Sequence, residues 1–191
     1  TVTYTPAGDP NSINDPKCTT CKDWPLDAKN AFNHAVSIWA NTITSTVPIT
    51  IVANYKDLGS SKIGSASAGA ELRWSSSPPA GALVNTWYAI ALASKLSGQD
   101  EGASLPDIIV NCNSTKSNWY FVTDGQTPST DVDFVTVVLH EIAHGLGFYS
   151  SANKDDASGS YTGTADGAVR PLLQKPICQL TCLFQLRTCI S

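Results

Sequence analysis

Two histidines four residues apart, with a glutamate directly after the first, are the residues of this chain best suited to chemistry. They are His140, Glu141 and His144, in the stretch HEIAH. On a helix, residues i and i+4 lie one turn apart on the same face, so both imidazoles can bind one metal ion. A glutamate beside zinc can take a proton from the water that the metal activates and pass it to a leaving amine. The spacing therefore predicts a zinc site with Glu141 as general base.

The composition of the chain makes this pattern informative. The 191 residues include only three histidines and three glutamates, and a glycine-rich stretch follows the motif. The alternative is a helix with two incidental histidines, and the register of the pattern favours the metal site. The third histidine, His34, lies within the helical stretch AFNHAVSIWA, where we expect a packed or surface residue rather than a ligand.

The motif needs a helix with a defined start and end. The candidate N-cap residues are Ser129, Thr130 and Asp131. From Val135 to Leu146, apolar residues recur at helical spacing, which predicts one buried face with the two histidines and Glu141 on the opposite face. Gly145 and Gly147 then supply a place where the helix can end.

Upstream of this helix, the spacing of apolar residues predicts an α+β layout. Strands are expected at 2–5, 47–55, 70–74, 107–111 and 118–123, and helices at 25–43 and 87–96. The rest of 64–82 is predicted to be a loop whose small residues let another chain come close. We expect one domain over 1–191, with an upper part at 1–147 and a small Cys-rich lower part at 148–191.

Charge and hydropathy exclude two classes of partner. The chain has 12 Lys+Arg against 16 Asp+Glu, and the basic residues are scattered, which argues against nucleic acid. No apolar run approaches the roughly 18 to 20 residues that cross a bilayer, so no membrane partner is expected. We expect a monomer.

The number of cysteines and the composition predict the cellular compartment of the protein. Six cysteines, no methionine and only 15% charged residues favour a secreted, extracellular protein with disulfide bonds. Cys18 and Cys21 form a CxxC stretch, for which a redox pair or half of a zinc ribbon are the alternatives. Asn113 begins a glycosylation sequon that would have meaning in a eukaryotic source.

The stretch HEIAHGLGF resembles the active-site helix and turn of zincin metalloproteases, most of all the metzincin form HExxHxxGxxH, whose glycine corresponds to Gly147. The resemblance implies a zincin-like fold, in which a twisted mixed sheet lies over the active-site helix and a small C-terminal subdomain follows. It also implies that His140 and His144 bind zinc, that Glu141 is the general base, and that an extended peptide binds beside an edge strand. The stretch DIIVN and the region 64–74 are the candidates for that strand.

The third zinc ligand departs from the metzincin pattern. Ser150 occupies the position of the third histidine, no glutamate follows Glu141, and there is no methionine for a Met-turn. We rank Asp166 first, because its stretch GTAD resembles the GTxD motif of aspzincins. Asp155 or Asp156 comes second, and a water or a neighbouring molecule third. The alternative for this acidic, Gly/Ser-rich stretch is a solvated turn or a calcium-binding loop.

These residues and the resemblance together predict a secreted zinc endopeptidase acting on protein or peptide substrates. The alternative is a zincin-like domain that binds zinc or a protein partner without turnover, and a third hypothesis is a non-proteolytic metallohydrolase. Glu141 favours the enzymes, because a structural zinc site usually closes with four protein ligands and does not need a base. Tyr149 and Tyr161 follow the motif, and the sequence assigns neither a role.

Overall fold

The computed structural model describes residues 1–9, 18–102 and 104–149, together with the backbone of two short strands beyond them. Their fold is α+β, as predicted. The helices are α1 (Leu26–Thr42), α2 (Ile90–Ser97) and α3 (Phe134–Gly145). The strands are β1 (Val2–Tyr4), β2 (Ile51–Lys56), β3 (Gly64–Ala68), β4 (Glu71–Arg73), β5 (Trp87–Ala89), β6 (Ile108–Asn113), β7 (Trp119–Tyr120), β8 (Val132–Asp133), β9 (Asn153–Lys154) and β10 (Tyr161–Thr162). Most of the predicted lower part at 148–191, including Cys178, Cys182 and Cys189, lies outside the described residues.

The main sheet is mixed and has four strands in the order β1-β2-β6-β3. β1, β2 and β6 run parallel, whereas β3 runs antiparallel to β6 at one edge. β6 lies in the interior of the sheet, and its residues Ile108 and Val110 are fully buried, as expected for a strand with a neighbour on each side. The stretch DIIVN is therefore excluded as the edge strand, which leaves the region 64–74.

Helices α1 and α3 pack against each other, and α3 also packs against β3 and β6 of the sheet. α1 buries Ala28, Ala31, Phe32 and Ala35, the first part of the apolar face that its spacing predicted, whereas Ile38 on the same predicted face is 38% exposed. The last residue of α3, Gly145, lies directly on the sheet, where an added Cβ would come within 2.1 Å of the Ile108 side chain. Glycine at position 145 therefore permits this close approach, because a packed interior leaves no room for an extra methyl group.

Two predicted elements differ from the structure because tertiary pairing overrides local spacing. The stretch 87–96 was expected to be helical throughout, but Trp87–Ala89 pairs with β4 as β5 before α2 begins. The stretch 64–68 was expected to be a loop, but it pairs with β6 as β3. Small residues such as those of β3 give no alternating pattern of apolar and polar positions, so the pairing partner decides their conformation.

The described cysteines include one disulfide-bonded pair and one free thiol, and the asparagine of the sequon is buried. Cys18 and Cys21 form a disulfide bond, with Cα atoms 5.2 Å apart, which agrees with the disulfide interpretation of CxxC. Among the described cysteines, Cys112 is a fully buried free thiol. Asn113 is only 3% exposed, and its amide nitrogen donates to the carbonyls of Gly59 and Lys62, so the sequon is not an accessible glycosylation site.

Among the described helices, none has the length and apolar character to span a membrane.

Candidate metal centre

Helix α3 carries the three residues of the motif and begins at a well-formed cap. The N-cap is Asp133, whose carboxylate accepts a hydrogen bond from the backbone N–H of Thr136 at 3.0 Å. The cap lies beyond the three residues that were expected to provide it, because Val132 and Asp133 first pair with β7. An oxygen acceptor at this position satisfies one of the free N–H groups of the first turn and sets where the helix starts.

The helix ends in a turn that depends on Gly147. The backbone N–H of Phe148 donates to the carbonyl of Ala143, and that of Gly147 donates to the carbonyl of His144, both at 3.0 Å. This pair of bonds is a Schellman motif, which needs a left-handed residue just past the helix. Gly147 has φ +107°, a conformation that residues with a Cβ rarely adopt. The turn brings the Phe148 carbonyl back to the last turn of α3.

The two imidazoles converge. His140 Nε2 and His144 Nε2 are 2.9 Å apart, and the rings meet edge to face. His144 Nδ1 lies 2.8 Å from the Phe148 carbonyl oxygen, and a carbonyl can only accept, so Nδ1 carries the proton and Nε2 keeps its lone pair. This is the tautomer that binds metal through Nε2, held by the kind of partner that orients ligand histidines.

A shared zinc ion fits this pair of nitrogens. Two nitrogens that each bind one tetrahedral zinc ion at about 2.0–2.1 Å lie about 3.3–3.4 Å apart. His140 Nε2 and His144 Nε2, at 2.9 Å, are close to that spacing, and two lone pairs this near repel each other unless a proton or a cation lies between them. His140 is exposed and His144 half-buried, so the pair opens towards solvent. His34, by contrast, is an exposed residue of α1, as predicted.

Glu141 is buried, not on the open face that the sequence predicted. It is 6% exposed and packs against β3, where a Cβ built on Gly64 would lie 2.8 Å from Glu141 Oε1. The prediction was wrong because apolar spacing identifies one buried face of α3. The antiparallel edge strand β3 covers a second face, the one that carries Glu141. Burial raises the pKa of Glu141, and the charges of His144 and His140 oppose that rise. Its Oε2 makes no hydrogen bond within the described residues. A carboxyl with a raised pKa and an uncommitted oxygen suits a general base.

A groove of about 520 Å³ runs between α3 and the edge of the sheet. The described residues that line it are Ala66, Ser67, Ala68, Ala70, Glu71, His144 and Tyr149. β3 forms one wall with small side chains, and its outer edge pairs with no strand among the described residues. The hydroxyl of Tyr149 donates to Glu71 Oε1 across the groove. A free strand edge beside the histidines is the arrangement that can accept an extended peptide.

Within the ranges that the structure describes, no His, Cys, Asp or Glu completes a group of three that could hold a metal ion. Ser150, Asp155, Asp156 and Asp166, the positions considered for the third ligand, all lie outside those ranges. The third ligand, and with it the calcium alternative for the acidic stretch, stays a prediction.

Sequence reasoning missed two contributors to the site, Gly64 and Glu71. A single glycine at the start of GSASA was a usable signal, because glycine in a strand often marks a close approach. The sequence suggested that this region would admit another backbone; the group that comes close to Gly64 is the carboxylate of Glu141. Nothing local in the sequence pointed to Glu71, because its neighbour Tyr149 is 78 residues away in the chain.

Comparison with known proteins gives one partial match. The profile of a protein family described as SPBPB7E8-like matches residues 95–186, just under half of the chain, and the matched part includes the HEIAH stretch. No curated protein and no solved structure matches the chain. The chain is thus similar over α3 and its flanks to the SPBPB7E8-like family.

Proposed function

We propose that this chain is a secreted, zinc-dependent endopeptidase of the zincin type, which hydrolyses peptide bonds in protein or peptide substrates. The observation that carries the proposal is the convergence of His140 Nε2 and His144 Nε2, 2.9 Å apart, beside the buried carboxylate of Glu141. A structural zinc site usually closes with four protein ligands and has no use for such a carboxylate. The combination therefore supports a hydrolytic site over a structural one.

The donor set fits zinc, and each residue has a task. His140 and His144 would hold the ion, and Asp166 is our proposed third ligand. Bound zinc supplies Lewis acidity, which polarises a carbonyl and acidifies water. Glu141 takes the proton of the attacking water and returns it to the leaving amine. Phe148 keeps His144 in the ligating tautomer through its carbonyl.

Two features of the fold support the zincin assignment. The mixed sheet packs on α3, and its antiparallel edge strand β3 lies beside the histidines. An extended substrate would add to this edge by backbone hydrogen bonds, with its scissile carbonyl near the imidazoles. The Cys18–Cys21 disulfide supports the proposed secretion, because such bonds persist in oxidising compartments.

The test combines metal content with hydrolysis. The full chain is loaded with zinc, dialysed, and measured by inductively coupled plasma mass spectrometry; casein cleavage is then followed with and without 1,10-phenanthroline. We expect one zinc per chain and chelator-sensitive cleavage. Glu141→Gln is expected to keep its zinc and to lose about 10²- to 10⁴-fold in kcat, the usual contribution of a general base. Glu101→Gln, in the turn after α2, is the matched control.

Each other outcome identifies a different function. Equal cleavage by Glu141→Gln would exclude the proposed mechanism. One bound zinc without cleavage of casein or of any peptide would favour the zincin-like binding domain. Cleavage of an activated ester but of no peptide would favour a non-proteolytic metallohydrolase, since the same activated water attacks esters.

A further inference from the structure

A tryptophan of α1 contacts α3 at the end that carries the imidazoles. Trp39 lies in the last turn of α1 and is half-buried. Its indole Nε1–H donates to the carbonyl oxygen of Leu139 at 3.2 Å. A carbonyl oxygen has two lone pairs, so Leu139 can accept this bond in addition to one from within its own helix. Because Leu139 directly precedes His140, the bond ties the backbone beside the first imidazole to α1.

The same indole packs against the turn that follows α3. The ring centroids of Trp39 and Phe148 are 6.4 Å apart, with the ring planes tilted by 42°. Phe148 is the residue whose carbonyl oxygen lies 2.8 Å from His144 Nδ1. One side chain therefore contacts both the residue next to His140 and the residue that sets the tautomer of His144.

The surroundings of Trp39 leave room for its neighbours to move if the indole is removed. Trp39 lines an apolar cavity of about 260 Å³ together with Ile142 and Leu146 of α3 and its turn. Loss of a large side chain beside such a space is only partly made good by relaxation of the surrounding residues. The Phe148 ring would then lose its support on this side, and its backbone carbonyl would be free to shift relative to His144.

Trp119 makes the same two kinds of contact at the opposite end of α3. Its ring centroid lies 4.9 Å from that of Phe134, the first residue of the helix, and its Nε1–H donates to the carbonyl oxygen of Asn113 at 2.8 Å. Trp119 thus supports α3 without contacting a residue beside either imidazole. The two tryptophans form a matched pair, one at the metal-binding end of the helix and one at the other end.

We propose that Trp39 is a positioning residue of the metal centre, which holds the Leu139 backbone and the Phe148 carbonyl where both imidazoles face one ion. The inference rests on the zinc site of the proposed function and adds a residue outside the HEIAH motif. Trp39 acts through Leu139 and Phe148, as outer partners of metal ligands do when they fix the orientation and tautomer of a histidine.

The first test measures the tautomer of His144 in the metal-free protein. The full chain, labelled with ¹⁵N-histidine, is studied by long-range ¹H–¹⁵N NMR in mildly alkaline buffer with a chelator. Wild-type His144 should be a single Nδ1–H tautomer. Trp39→Leu removes the indole N–H and the ring and should give a mixture of tautomers, whereas Trp39→Phe keeps a ring beside Phe148 and should give a smaller change. Trp119→Leu and Trp119→Phe should leave the tautomer as in wild type.

The second test measures zinc affinity by competition with a chromophoric chelator. The Kd for zinc should rise about 3- to 10-fold in Trp39→Leu, which is less than the roughly 10- to 100-fold that loss of a direct partner of a ligand costs. The rise should be smaller in Trp39→Phe and absent in both Trp119 variants. All four substitutions remove core contacts, so an effect confined to Trp39 does not come from lowered stability alone. Far-UV circular dichroism checks folding, and Trp39→Phe carries the comparison if Trp39→Leu does not fold.

The outcomes separate this inference from the proposed function. An unchanged His144 tautomer in the Trp39 variants, or zinc Kd values that rise equally in the Trp39 and Trp119 variants, would overturn the role of Trp39 and leave the peptidase intact. If the wild type binds no zinc, the proposed function fails. A tautomer change confined to the Trp39 variants would still support the positioning of His144 in that case.

Discussion

The two walls of the groove are built on opposite plans. The helix wall is α3, which lines the groove with His144 and also carries His140 and the Glu141 carboxylate. The strand wall, on β3, carries side chains no larger than serine, and its contribution beside Glu141 is the missing Cβ of Gly64. One wall supplies functional groups at fixed spacing, and the other supplies clearance and a backbone edge that no described strand covers. The site therefore depends as much on the space that small residues leave as on the functional groups that α3 supplies.

The two walls are expected to be sensitive to opposite kinds of substitution. The helix wall should be damaged by removing a functional group, whereas the strand wall should be damaged by adding atoms. Removal of a metal ligand has the largest expected effect, followed by the loss of activity on adding a methyl group to the strand wall. The smallest is the effect of neutralising the buried carboxylate on the stability of the metal-free protein.

Removing an imidazole from the helix wall should abolish metal binding. His140→Ala and His144→Ala are each expected to weaken zinc affinity by more than about 100-fold, because partners that only orient a ligand are already worth about 10- to 100-fold. His34→Ala, on the exposed face of α1, is the matched control and should retain zinc fully. The measurement is zinc content after dialysis against a competing chelator. Equal zinc loss in all three variants, or in none, would break the assignment of the helix wall.

Adding one methyl group to the strand wall should displace the general base. A Cβ at residue 64 would lie 2.8 Å from Glu141 Oε1, so in Gly64→Ala the carboxylate must move. The moving atom is the end of a flexible side chain, so folding and zinc content should change little. Misplacing a catalytic group by about 1 Å can cost about 100-fold in rate, and we expect kcat to fall by about 10- to 100-fold.

The adjacent variant Ser65→Ala provides the control for the strand wall. Ser65 faces the other side of the sheet, where its hydroxyl accepts a hydrogen bond from Asn111. The Ser65→Ala substitution should therefore leave kcat nearly unchanged. A Gly64→Ala enzyme with wild-type kcat would show that the position of Glu141 does not depend on the clearance that β3 provides.

Neutralising Glu141 should change stability in a pH-dependent way in the metal-free protein. Burial raises the pKa of Glu141 above its unfolded value. The folded state then binds the proton more tightly, so this group's stabilising contribution is present at pH values below the unfolded pKa and is lost as pH rises through the folded pKa. Glu141→Gln cannot ionise. Its free energy of unfolding should therefore rise relative to wild type as pH increases from the ordinary carboxyl range towards neutrality.

The measurement is urea unfolding in the presence of a chelator, followed by tryptophan fluorescence, at a series of pH values. Glu101→Gln, in the turn after α2, serves as the reference substitution. A Glu141→Gln protein that becomes less stable than wild type as pH rises would contradict the burial of an uncompensated carboxyl against β3.

Local patterns account for the helical elements and for the interior strands. α1 and α3 follow from apolar spacing, and the Schellman turn follows from Gly147, because helices and their ends are determined by residues within a few positions of one another. β2 and β6 follow from their apolar content. The stretch GSASA lacks any such pattern, and β5 looks locally like the start of a helix, so both strands escaped prediction.

The sequence by itself determined that His140, Glu141 and His144 occupy one helical stretch, because their register depends only on the 3.6-residue period of the backbone. Only the tertiary structure decided what surrounds that stretch. It put Glu141 against Gly64, 77 positions earlier, and Tyr149 against Glu71, 78 positions earlier. Contacts over such separations depend on how α3 packs against the sheet, and packing is decided by the shapes of distant residues that no local pattern records.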